Sequence, residues 1–222
     1  MQELVARDFV QEQPPPLADG EIHLWFFAQW PTPAHDVAQS LPLRALLAGY
    51  LESGPERLRI ERNMHGKPGL RDAAGLEFNL SHSGGALLVG VSRGQALGTD
   101  LETPRRLRPV LDLARRYFDP AEAALLAGLP ADRREAAFMR LWSCKEAVLK
   151  ALGHGIAFGL HRLVFELDAS GRVLGLQKLD GEPTPALWHV VQLRPAPAYS
   201  GAVAWRGPAR RIHAYAASPP MP

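Results

Sequence analysis

The segment that most constrains the fold is a helical run over residues 132–152, with the nonapeptide Trp-Ser-Cys-Lys-Glu-Ala-Val-Leu-Lys at 142–150 inside it. At helical spacing Phe138, Leu141, Val148 and Leu152 line up on one face, and such a stripe needs a second layer to cover it. Glu146 and Lys150, four residues apart, share another face. Lys145 falls inside the apolar arc, where an unpaired ammonium is costly, so it must snorkel outward or meet an anion. One helix thus offers a carboxylate and two cations in one neighbourhood. Two readings stay open at this point: a functional cluster, or an ordinary Glu146–Lys150 surface pair worth about 0.3–0.5 kcal/mol.

Around that helix the pattern alternates between strands and helices. Pro14, Pro15 and Pro16 form a stiff, extended opening, so residues 1–20 are expected to be a leader that precedes the fold. Strands are predicted over 22–30, 58–61, 76–81, 86–92 and 96–102. Residues 42–51 read as a helix, with Leu43, Leu46, Leu47 and Leu51 at helical spacing, Pro42 near the start and Gly54 beyond the end. Arg44, at the beginning of that helix, is either a surface residue or an anion ligand. Asp119-Pro120-Ala121-Glu122 combines an N-cap, a first-turn proline and a capping-box glutamate. After Gly153-His154-Gly155 the strand pattern returns at 162–167, 172–178, 187–193, 200–205 and 211–215, with a hairpin turn over 168–171. This order predicts an α+β fold of two units of about 100 residues each. The expected units are residues 21–103 and 104–216, with a frayed tail over 217–222.

Three further motifs are polar. Gly66, Pro68 and Gly69 force the backbone to turn and hold Lys67 where it meets a phosphate or a nucleotide edge, or merely keeps a turn soluble. Ser81, His82 and Ser83 precede Gly84 and Gly85; a hydroxyl, an imidazole and free amides suit an anion, while the alternative is a polar strand end with a satisfied histidine. In Gly98-Thr99-Asp100-Leu101-Glu102, alternation puts Asp100 and Glu102 on one face, where they repel unless something positive lies between them. Magnesium fits such a pair, because it takes one or two carboxylate oxygens and fills its other positions with water and phosphate.

Composition removes several classes. A net charge of +2 demands no nucleic-acid partner. The basic clump of Arg105, Arg106, Arg108, Arg115 and Arg116 suits an acidic partner, phosphate groups or simply solvent. Cys144 is the single cysteine, which excludes an intrachain disulfide and a zinc–thiolate cluster and fits a reducing cytoplasm; beside the apolar arc it reads as a small core residue. No apolar run reaches membrane-spanning length and the N-terminus lacks the pattern of a signal peptide, so a soluble, cytoplasmic protein is expected, with no membrane partner.

Taken in order and at their spacing, GKP at 66–68, LSHS at 80–83, GTDLE at 98–102, RRYFDPAEAALL at 115–126 and LWSCKEAVLKALG at 141–153 resemble the 4′-phosphopantetheinyl transferase superfamily. The similarity is to its two-halved, surfactin-synthetase-activating (Sfp-type) branch, whose G-x-D-x-E strand and W-x-x-K-E-A-x-x-K helix are both complete here, and it spans roughly residues 20–206. The resemblance implies a monomer of two similar α+β halves related by a pseudo-twofold axis, each with a small, mainly antiparallel sheet and packed helices, and coenzyme A in the cleft between them. It implies transfer of 4′-phosphopantetheine from coenzyme A to a serine of an acyl or peptidyl carrier protein, with release of adenosine 3′,5′-bisphosphate. Asp100, Glu102 and Glu146 correspond to the family's acidic magnesium site, where manganese also suits the ligands. Lys150 corresponds to its pyrophosphate-binding lysine, and Lys67, Ser81 and His82 to coenzyme A contacts. Arg44 matches a phosphate-binding arginine in a looser helix motif.

A metal and a lysine together neutralise a breaking pyrophosphate, and a nearby carboxylate takes the serine proton; Glu146 is the expected base, with Asp100 and Lys150 beside it. Lys145 either orients the acidic cluster or is structural, and Trp142 reads as core. The arginine-rich stretch 105–116 is the expected docking surface for an acidic carrier. Competing readings are a magnesium-dependent nucleotide pyrophosphate hydrolase and a non-catalytic coenzyme A-binding regulator.

Overall fold

The computed structural model describes residues 1–11, 16–31, 34–71, 73, 75–103 and 109–218. Strand β3 (Glu21–Phe27) shows why the chain layers as it does. Ile22, Leu24 and Phe26 enter one core while Trp25 and Phe27 enter another, because successive side chains point to opposite faces. Each large apolar side chain buried in this way contributes about 1.5–3 kcal/mol. β3 belongs to a five-stranded sheet with β2 (Phe9–Val10), β6 (Leu76–Ser83), β7 (Ala86–Arg93) and β13 (Arg211–Ala216), in the order β2-β13-β3-β7-β6.

A four-stranded sheet runs β1-β11-β12-β8, formed by β1 (Glu3–Val5), β8 (Leu97–Glu102), β11 (Trp188–Arg194) and β12 (Ser200–Arg206). Leu97, Leu101, Val203 and Trp205 from this sheet meet Ile22, Leu24, Phe26 and Leu88 from the other in a shared core. Helix α1 (Leu41–Gly49) closes the outer face of the five-stranded sheet. The long helix α4 (Ala131–Leu152) closes the outer face of the four-stranded one, with α2 (Val110–Tyr117), α3 (Pro120–Gly128) and the hairpin of β9 (Leu163–Leu167) and β10 (Val173–Leu179) packed around it. The result is an α+β molecule layered helix, sheet, sheet, helix, and its pairings are antiparallel except β1 with β11 and β13 with β2 and β3.

Three expectations change. The stretch expected as a leader carries β1 and β2, one on each sheet, so it is part of the fold. The expected boundary at Thr103 does not separate the sheets. β8 precedes it yet pairs with β12, and β13 comes last yet pairs with β3. The segment expected as turn alone contains β5 (Pro68–Arg71), paired with β4 (Arg59–Arg62). At the other end, Ala217 still donates to the Phe26 carbonyl, and residues 219–222 lie outside the described residues.

Candidate active site

The site begins with a glycine. A Cβ on Gly98 would lie 2.0 Å from the Ala147 carbonyl oxygen and 2.3 Å from the Ala151 nitrogen, so α4 rests its backbone directly on β8 there. That close approach sets Glu146 and Lys150 over the face of β8 that carries Asp100. Lys150 Nζ lies 2.8 Å from Asp100 Oδ1 and donates to Ser81 Oγ at 3.0 Å. Ser81 Oγ in turn donates to Asp100 Oδ1 at 3.1 Å. The three groups close a ring of charge-assisted contacts at the junction of α4, β6 and β8.

Glu146 completes the group without joining that ring. It is 8% exposed and Asp100 is 4% exposed, and Glu146 Oε1 and Asp100 Oδ2 are both buried with no hydrogen-bond partner. Burial, then the Asp100 carboxylate and more weakly that of Glu102, pushes the Glu146 pKa up to about 7 against the opposing pull of Lys150. Asp100, Glu102, Glu146 and Lys150 therefore act on one another electrostatically.

Among the described residues no three His, Cys, Asp or Glu side chains are grouped so as to hold a metal ion. The Lys150 ammonium neutralises Asp100 instead. Two buried, unpartnered carboxylate oxygens nevertheless fit a hard divalent cation. Magnesium commonly uses only one or two protein carboxylates and takes its remaining ligands from phosphate and water.

Strand β6 holds its side of the site by a ladder that the sequence reading passed over. Asn79 Oδ1 accepts from the Thr99 amide at 2.7 Å, and Ser83 Oγ accepts from the Thr103 amide at 3.1 Å. With Ser81 on Asp100, these alternate polar residues tie β6 to β8, the adjoining strands of the two sheets. The signal was present in Leu-Glu-Phe-Asn-Leu-Ser-His-Ser, where Asn79, Ser81 and Ser83 fall on one face at a period of two.

The remaining candidates lie around this centre or away from it. His82 is on the opposite face of β6 from Ser81 and exposed; partial burial, then the Lys150 charge, lowers its pKa, so it stands within electrostatic reach of the group. Lys67 donates from Nζ to the Leu97 carbonyl at 3.0 Å, which places it at the start of β8 rather than on the carboxylates. Burial lowers its pKa. It lines an open groove of about 500 Å³ that also meets Arg62, Glu77 and Gly153. Arg44 spends its guanidinium on the Pro55 carbonyl at 3.0 Å and the Leu58 carbonyl at 2.6 Å, pinning α1 to the turn that follows it.

Lys145 resolves differently from its expected alternative beside the acidic cluster. It is fully buried, 2.7 Å from Glu122 Oε2, and donates to the carbonyls of Leu160 and Leu163. Glu122 also accepts from the Phe165 amide at 2.8 Å and from the Asp119 amide at 3.1 Å, so one carboxylate closes the predicted capping box and receives the buried lysine. Trp142 packs against Phe118 and Phe138 as core, and burial raises the pKa of the Cys144 thiol. Arg115 and Arg116 are exposed at the end of α2, with Arg115 paired to Asp112 at 3.0 Å; Arg105, Arg106 and Arg108 lie outside the described residues.

Residues 96–204, which contain β8 and α4, match the family described as the 4′-phosphopantetheinyl transferase superfamily. The chain is 43% identical over 118 residues to 4′-phosphopantetheinyl transferase HetI of a Nostoc species, a match covering 52% of this chain and 50% of that protein. It is 36% identical over 159 residues to 4′-phosphopantetheinyl transferase psf-1 of Bacillus pumilus, covering 71% and 65%. It is 28% identical over 132 residues to 4′-phosphopantetheinyl transferase Sfp of Bacillus subtilis, covering 59% and 57%. The chain spans about half the length of the first of these relatives.

Proposed function

We propose that this chain is a member of the 4′-phosphopantetheinyl transferase superfamily and that it moves the 4′-phosphopantetheine arm of coenzyme A to a serine hydroxyl of a carrier protein, releasing adenosine 3′,5′-bisphosphate. The observation that carries the reading is Glu146, a buried carboxylate with a pKa near 7 and one unpartnered oxygen, beside the Asp100–Lys150–Ser81 ring. Such a carboxylate is poised to take a proton at neutral pH.

The serine oxygen attacks the phosphorus that bears the pantetheine arm, the bond from that phosphorus to the bridging oxygen breaks, and the serine proton passes to Glu146. Lys150 donates to the pyrophosphate oxygens as charge gathers on the leaving group, releasing its hold on Asp100. Ser81 then keeps Asp100 oriented while the lysine is engaged. Asp100 and Glu146, with Glu102 alongside, are the residues that would hold magnesium or manganese, which supplies charge neutralisation on the phosphates when bound. His82 and Lys67 are assigned to coenzyme A contacts at the two ends of this surface. Arg44 is assigned to a coenzyme A phosphate, which would have to replace its carbonyl partners at Pro55 and Leu58. The exposed Arg115 and Arg116 face an acidic carrier in this reading, and the protein acts as a monomer.

The test is mass spectrometry of apo carrier proteins incubated with the protein, coenzyme A and magnesium. One phosphopantetheine arm should be added to a carrier. Coenzyme A cleaved with no carrier modified would make the protein a hydrolase, and coenzyme A bound with neither outcome would make it a regulator. Either result overturns the transfer reading.

A further inference from the structure

A second titratable cluster lies on the face of β3 that carries Trp25 and Phe27, turned away from the shared core, and the transfer chemistry makes no use of it. His23 is fully buried there, and His213 is its register neighbour on the parallel strand β13. Trp25 Nε1 donates to the Tyr50 hydroxyl at 2.7 Å, and that hydroxyl lies 2.9 Å from His23 Nδ1. Giving its one hydrogen to Nδ1 satisfies both the hydroxyl and the ring nitrogen, so the hydrogen-bond count assigns neutral His23 a proton on Nε2. Nε2 itself is buried without a hydrogen-bond partner, and Glu21 Oε2 stands 3.8 Å from it, beyond hydrogen-bond reach. Glu21 is engaged elsewhere: it accepts from the Ala18 amide at 3.2 Å and pairs with His213 Nε2 at 3.3 Å.

This wiring has room for one proton on His23 and not for two. A second proton, on Nδ1, would meet the Tyr50 hydrogen. The hydroxyl would then have to accept from Trp25 and His23 together and would lose the acceptor of its own hydrogen. The groups around the ring do little to offset that loss. On β13, the His213 and Tyr215 rings lie 5.6 and 5.3 Å from the His23 ring between centres, and Arg211, opposite Glu21, is exposed. Tyr50 comes from the end of α1, and burial raises the pKa of its hydroxyl. On β7, Val91 lies opposite His23, and Arg93 gives its guanidinium to the Tyr50 and Leu17 carbonyls. Among the described residues the carboxylate acting on His23 is that of Glu21, which His213 shares. Burial, then His213, lowers the His23 pKa to about 4 against the pull of Glu21.

β13 is the element that can yield. It is the last strand, and on its other side β2 backs it over only two register pairs, Ala214 with Phe9 and Tyr215 with Val10. We propose that Glu21, His23, Tyr50 and His213 form an acid-sensitive latch: with His23 neutral they hold β13 against β3, and protonation of His23 beside His213 releases the strand. This assignment does not depend on the transfer reaction, since none of the four residues belongs to the group around Glu146.

The test is hydrogen exchange of the full chain at about pH 7.5 and about pH 5, corrected for intrinsic rates and read in β13 relative to β11. Protection of β13 should fall by about thirtyfold at the lower pH, the ratio set by a His23 pKa of about 4 in the closed strand and the ordinary 6.5 in the opened one. His23→Phe removes the titration and should leave β13 equally protected at both pH values. Nitrogen-15 NMR of the wild-type imidazoles gives a reading that does not depend on how the variant folds. At the lower pH, His23 of the closed chain should still be neutral with its proton on Nε2. An unchanged ratio of β13 to β11 protection, a drop of the same size in His23→Phe, or a charged His23 with β13 still protected would each overturn the proposal.

Discussion

Burying a carboxylate beside another carboxylate opposes folding unless a proton or a cation intervenes, and Glu146 is in that position. Its pKa of about 7 in the folded chain exceeds the ordinary value of 4.5 that it regains on unfolding. The native state therefore binds more protons between those values. The stability tied to this proton is complete below about 4.5 and is lost as pH rises through about 7. In metal-free buffer, Glu146→Gln should be more stable than wild type at pH 8, by on the order of 3 kcal/mol, and the gap should close toward pH 4.5. Urea unfolding at the two pH values measures it, and an equal gap at both would remove the titration from the argument. The same substitution should abolish carrier modification while leaving coenzyme A affinity within about threefold, about 0.7 kcal/mol. Near-normal turnover of the variant would place the base elsewhere. Lys145 marks the limit of sequence at this scale: its place on the apolar arc was legible from spacing, but its partner Glu122 sits on a different helix that no local pattern connects to it.

At the scale of elements, helix α4 and strand β8 make the site by touching, and two features control that contact. Gly98 admits the helix backbone, so Gly98→Ala should push α4 off β8. The expected loss is more than about 2 kcal/mol of stability, with carrier modification falling further than coenzyme A binding, because the reacting groups span both elements. The Lys145–Glu122 pair fixes α4 to α3 and β9 on the far side. Lys145→Met leaves a buried carboxylate without its cation and should cost about 3–5 kcal/mol. Lys145→Met with Glu122→Leu should recover a large part of that loss, although Glu122 also serves two backbone amides. Thermal unfolding of the two variants decides it, and a double variant no more stable than the single one would show that those amides, rather than the lysine, are what Glu122 is for. Elements of this kind were readable in sequence because periodicity and capping are local. The Asp119–Glu122 capping box and the shared face of Asp100 and Glu102 follow from spacings of a few residues.

Across the whole molecule, the strand segments were legible but their partners were not, because pairing is decided by long-range packing rather than by any local spacing. β8 joins the sheet built mostly from later strands, while β13 joins the sheet built mostly from earlier ones, so each sheet is completed by a strand from the other half of the chain. The first ten residues do the same on a smaller scale. Glu3–Val5 covers β11 and Phe9–Val10 covers β13, and Phe9 packs into the core between the sheets. A short mixed stretch ahead of a proline run carries no sign of this in sequence, since strands of two or three residues have too little periodicity to read. Deleting residues 1–10 exposes the edges of β11 and β13 and removes the buried Phe9, whose loss alone costs about 3–5 kcal/mol. The truncated chain should unfold at clearly lower urea and associate through its uncovered strands, with hydrogen exchange accelerating first in β11 and β13. Unchanged stability and exchange would return this stretch to the status of a dispensable leader. Full protection in β8 despite loss at β11 would show that the four-stranded sheet does not hold the site as one unit.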